Sequence, residues 1–140
     1  MSAIHTEAQT LYGTARELIA AATVLHLNDS DRFIPSINLL MGFACEMLMK
    51  SALAQNGVAA SDRHGHDLSA LYSKADGKGL LQFVRRSSLR DMIDILDKAH
   101  KENSLRYLKP GSSVGVITSV GAAIDTLNEF DAHVRKVVVG

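Results

Sequence analysis

The chain has 140 residues, with fifteen basic and fifteen acidic side chains, so its formal charge is zero. No overall field draws it to nucleic acid or to an anionic membrane, and any such binding must come from a local patch. The length suits one domain over residues 1–140, whose single core needs neither disulfides nor a structural metal.

The lone Cys45 cannot close an intramolecular disulfide, which points to an intracellular, cytoplasmic protein. The opening MSAIHTEAQT lacks a basic region followed by a hydrophobic stretch. No uninterrupted apolar run approaches the roughly 18 residues that span a bilayer, so neither a signal peptide nor a membrane anchor is expected. Zero charge and 46% hydrophobic residues favour self-association through apolar surface.

In chain order, Ala8, Leu11, Ala15, Leu18, Ala22 and Leu25 recur at spacings of three and four, with Tyr12 and Ile19 widening the stripe. This predicts an amphipathic helix of about six turns. Asn28 to Asp31 supply turn residues, and Pro35 suits the first turn of a second helix starting near Phe33. That helix is apolar around much of its circumference, with Asn38, Glu46 and Lys50 as polar exceptions, which marks it as central. Asn56-Gly57 supplies a left-handed stop. Asp67 begins a shorter helix with an inner face of Leu68, Leu71, Tyr72 and Ala75, ended by Asp76-Gly77-Lys78-Gly79.

Leu80, Leu81, Phe83 and Val84 suggest a short helical turn, and Ser88 with Asp91 reads as a capping box for a helix fading near Lys101. Residues 102–113 are aperiodic, with Leu105, Tyr107 and Leu108 marking a loop pinned to the core. Val114 to Val120 is β-branched and strand-like, yet Val116, Val120, Ala123, Leu127, Phe130, Val134 and Val137 keep helical spacing, so a closing helix capped by Ser113 is expected. The fold class is all-α, an up-and-down bundle of four or five helices.

Several side chains are candidates for chemistry. Glu46 and Lys50, four apart with the acid first, share a helix face and can pair as an ordinary ion pair. On so apolar a helix, the carboxylate can alternatively anchor His66 or join a pocket lined by Lys50. His64, His66 and Asp67 are too few donors in sequence for a metal site, and capping by Asp67 or His66 is the plainer reading, so no metal or cofactor is expected. Cys45 reads as a small core side chain. No G-x-S-x-G elbow and no phosphate-binding glycine loop can be written. Residues 85–109 carry seven basic against four acidic side chains, either a local phosphate surface or a solvated face of i,i+4 pairs such as Asp94/Lys98 and Asp97/Lys101. Arg106 and Tyr107 can set a guanidinium beside an aromatic face for base stacking, or lock their loop.

The block CEMLMKSALAQNGVAASDRHGHDLSAL, residues 45–71, resembles the HEPN domain superfamily, through Glu46-x-x-x-Lys50 on a long helix, a Gly stop and His66-Asp67-Leu68 opening the next helix. The resemblance implies a helical, usually dimeric module, often paired with a nucleotidyltransferase-type partner in toxin–antitoxin or defence systems. Many such proteins are metal-independent RNases with an R-x(4–6)-H motif. That motif is absent: Arg63 lies too close to His66, and Arg16/His26 and Arg90/His100 each have nine intervening residues. The expectation is therefore a homodimer that binds RNA, a nucleotide or a partner protein. The alternatives are an RNase with a rearranged site from His66, His100 and Arg106, and a purely structural adaptor.

Overall fold

The computed structural model describes residues 6–63, 65–102 and 115–140. Among these it is all-helical: α1 (Glu7–Asp29), α2 (Ile34–Gln55), a short 3-10 turn (Ala60–Asp62), α3 (Leu68–Gly77), α4 (Arg86–Lys101) and α5 (Val120–Val138). The expected positions at His64, the loop around Leu105 to Leu108 with Arg106 and Tyr107, and Lys109, Ser113 and Val114 lie outside the described residues.

The helix α1 opens on Thr6, whose hydroxyl accepts from the Gln9 N–H while the Gln9 side chain accepts from Thr6 N–H, a reciprocal cap that satisfies two otherwise orphaned donors. Its buried edge is Ala8, Tyr12, Ala15, Ile19 and Ala22, so Leu11, Leu18 and Leu25 only flank the core. The small Ala8, Ala15 and Ala22 let α2 approach closely, and α1 and α2 make the most extensive helix pair. Ser51 Oγ donates to Ala8 O across 2.7 Å, which joins the far end of α2 to the start of α1 and fixes the two as an antiparallel hairpin.

Pro35 sits in the first turn of α2, where its missing N–H costs nothing, and the helix ends at Asn56 with Gly57 at φ 81°. By length and composition α2 is apolar enough to cross a bilayer, but 67% of its most apolar window is buried inside the bundle. It is the central helix, packed against α1, α3, α4 and α5. Ile37, Met41, Leu48, Met49 and Leu53 are fully buried along it.

Three local expectations are corrected. The helix α4 starts at Arg86, two residues ahead of Ser88, and has no side-chain cap, so the Ser88/Asp91 pair lies within the helix. Leu80 to Val84 form turns rather than helix: Leu81 is buried and Val84 projects to solvent. Residues 115–119 do not extend the closing helix, which begins at Val120. Fully buried Asn38 is the reason: its Oδ1 accepts from Ile117 N–H at 2.7 Å and its Nδ2 donates to Ile117 O at 3.0 Å. The side-chain amide takes both backbone groups of Ile117, as a neighbouring strand would, and this holds the segment out of the helix without a sheet.

Candidate functional site

Where α2, α3 and α4 meet, four polar side chains converge. Glu46 lies on the inward face of α2 and is 1% exposed. Its Oε1 is 2.6 Å from His66 Nδ1 and 2.8 Å from His100 Nε2, and its Oε2 is 2.9 Å from Lys50 Nζ. Burial pushes the Glu46 carboxyl up, but the hydrogen bonds from His100, His66 and Lys50 and the Lys50 charge outweigh it, and the group is held down at about 2. An ionised carboxylate only accepts, so both imidazole nitrogens carry protons toward it. His66 then keeps Nε2 as its second functional atom, on a side chain that is 47% exposed.

Each element places its residue for a local reason. The pair Glu46/Lys50 is one helical turn apart on α2, with the acid first. His66 precedes the N-cap of α3, where Asp67 Oδ1 accepts from Ala70 N–H and the next residue, Leu68, is fully buried. Asp97 of α4 accepts from the N–H groups of Leu68 and Ser69, which satisfies the remaining donors of that end and ties α3 to α4. Lys101 reaches both Asp67 and Asp97. His100, one turn beyond Leu96 on α4, is 2% exposed and lies over Gly42. A Cβ on Gly42 would stand 2.7 Å from His100 Nδ1, so the absence of a side chain there lets the ring reach Glu46. Phe43 closes the cluster, edge-on to the His100 ring at 4.7 Å and to the His66 ring at 6.1 Å.

Of the sequence candidates, Glu46, Lys50, His66 and His100 come together on one carboxylate, and Asp67 caps α3 beside them. Arg106 and Tyr107 fall outside the described residues. Gly42 and Phe43 were missed, and the only signal for Gly42 was a glycine inside an apolar helix one turn before Glu46. Among the described residues of the basic stretch, Arg85 pairs with Glu129, Arg86 with Asp76 and Arg90 with Asp94, which takes the place expected for Lys98. Arg90 also lies over the Tyr72 ring, 5.0 Å from its centroid. The described part of that surface reads as a solvated, paired face. Cys45 is fully buried, and burial pushes its thiol up to about 12, which excludes it as a nucleophile in the folded state.

No protein-family model, curated protein or solved structure matches the chain.

Proposed function

We propose that this protein is a HEPN-like module that binds RNA or a nucleotide at the face formed by His66, Lys50 and the end of α4. The observation that carries this reading is the buried Glu46 carboxylate, which holds two imidazoles and an ammonium in one place. The residues that carry the resemblance act together here: Glu46 bonds Lys50, His66 bonds Glu46, Asp67 caps α3 and Leu68 enters the core. Phosphate recognition needs fixed N–H donors, which the Lys50 ammonium supplies on this anchor and His66 adds from Nε2 when its ring is protonated. The resemblance adds a homodimer and a nucleotidyltransferase-type partner in a cytoplasmic toxin–antitoxin or defence setting.

A second reading, RNA cleavage, is favoured by one feature. The Nδ1–H to Oε1 bond fixes the tautomer of His66 and leaves Nε2 as a proton acceptor, the role required to activate a ribose 2′-hydroxyl. Both readings are tested with a mixed RNA substrate in the presence of a chelator. Binding that weakens with salt and is lost in His66→Ala supports recognition. Product formation abolished in the His66→Ala/Arg106→Ala double variant moves the protein to the RNases. Neither binding nor cleavage by folded wild type leaves a structural adaptor.

A further inference from the structure

The Glu46 cluster has the donor set of a metal centre as well as that of a hydrogen-bonded triad. Glu46, His66 and His100, on three different elements, each offer a ligand atom within 4.8 Å of the others, and Glu46 Oε1 is in hydrogen-bond contact with His66 Nδ1 and His100 Nε2. We propose that these three atoms bind a zinc-class divalent transition ion, with a fourth position left toward solvent beside His66.

The chemistry of the donors selects the ion. Two imidazoles and one carboxylate suit zinc and its first-row neighbours, whereas calcium and magnesium take oxygen donors. Three protein ligands with one side open is the arrangement of a zinc site that accepts water or substrate, in contrast to the closed four-ligand sets of structural sites. The open side here follows from exposure: Glu46 and His100 are 1% and 2% exposed, and His66 is 47% exposed.

The two separations about Oε1 must open slightly. A tetrahedral ion about 2.1 Å from each donor sets the donors about 3.4 Å apart. The present 2.6 and 2.8 Å separations about Oε1 are hydrogen-bond lengths, so the ion replaces the two shared protons and the donors part by about 0.7 Å. Half-exposed His66 is free to supply that movement, while His100 is confined between Gly42 and Phe43. In a neutral imidazole the proton on the coordinating nitrogen moves to the other ring nitrogen, and an imidazolium releases it to solvent.

The surroundings also suit an ion. Lys50 holds Oε2 at 2.9 Å, which leaves Oε1 as the coordinating oxygen and fixes the carboxylate plane, as outer hydrogen bonds do around metal ligands. Phe43 supplies an apolar wall that orients both rings. His64, His66 and Asp67, close together in sequence, are too few donors for a site, whereas the set assembled in space draws on α2, the loop before α3, and α4.

The test uses the full chain, stripped with chelator, and titrated with Zn2+ against a chromophoric chelator and with Co2+ as a spectroscopic probe. The expected result is a single ion per chain and the visible absorption of tetrahedral cobalt. His66→Ala should weaken binding at least about tenfold, and Glu46→Gln should do likewise. His26→Gln, in a residue that contacts Ser30 away from the cluster, should leave it unchanged. His66→Ala is the decisive variant because its half-exposed side chain can be removed with the helical circular dichroism intact. Absence of stoichiometric zinc in folded wild type, or equal binding by His66→Ala and His26→Gln, overturns the site. RNA binding is measured with chelator present, so its failure and the failure of the metal site are separate results.

Discussion

Gly42→Ala is the most informative single substitution, because it adds one carbon at the point where α4 leans on α2. Alanine in a helix interior gains about 1 kcal/mol over glycine. At position 42 the new Cβ would lie 2.7 Å from His100 Nδ1 and 3.1 Å from its Cγ. These are ring atoms of a side chain that is 2% exposed and bonded to Glu46, not the free end of a flexible chain. Overpacking of this kind costs about 1–3 kcal/mol. If the ring swings away instead, a hydrogen bond to a charged partner worth about 1.5–3 kcal/mol is lost. The net expectation is that the helix-propensity gain is cancelled or outweighed, a destabilisation of about 0–2 kcal/mol and a fall in Tm of up to roughly 7 °C for a chain of this size. Gly13→Ala is the control: nothing lies within 4 Å of its new Cβ on the exposed side of α1, and it should stabilise by about 1 kcal/mol. Urea denaturation gives both numbers, and imidazole NMR reports the His100 environment. If Gly42→Ala stabilised as much as Gly13→Ala, with the His100 resonances unmoved, the account of how His100 reaches Glu46 would be refuted.

Three further predictions concern other links in the structure. Glu46 titrates at about 2 in the fold against an ordinary 4.5, so its contribution is complete above the higher value and disappears as pH falls through the lower. On the order of 3 kcal/mol of the stability gap between wild type and Glu46→Gln should therefore vanish between neutral pH and pH 2, and a gap independent of pH in urea titrations would contradict this. Asn38→Ala orphans both backbone groups of Ile117 inside the core and should cost about 2–3 kcal/mol. Hydrogen exchange at the Ile117 amide should accelerate accordingly, and unchanged protection would show that Asn38 is not what holds the segment. Cys45, fully buried and pushed up to about 12, should resist thiol reagents in the native protein and react in denaturant. Rapid native labelling would mean that α2 opens.

The helices were legible because each had a local cause. Spacings of three and four marked α1 and α5, Pro35 and Gly57 bounded α2, and Asp67 announced α3, all through interactions within a few residues of one another. The misreadings came where a distant group decided the backbone. Val116 fits a helical period, yet Asn38, far away in sequence, takes both hydrogen-bonding groups of the adjacent Ile117 and holds the stretch out of the helix. Ser88 and Asp91 had a capping spacing, but α4 begins earlier, at Arg86.

The candidate site divides in the same way. Sequence alone determined that Glu46 and Lys50 share a face, because α-helical geometry makes i and i+4 neighbours, and it offered His66 as one of several partners for a carboxylate stranded on an apolar helix. Only the tertiary structure decided that His100, fifty-four residues after Glu46, bonds the same oxygen. It also decided that Gly42 is bare so that His100 can do so, and that Asp97 rather than a nearby residue completes the end of α3. Periodicity and caps are written into neighbouring residues, whereas the meeting of two imidazoles on one buried carboxylate depends on how three helices pack, which no local pattern encodes.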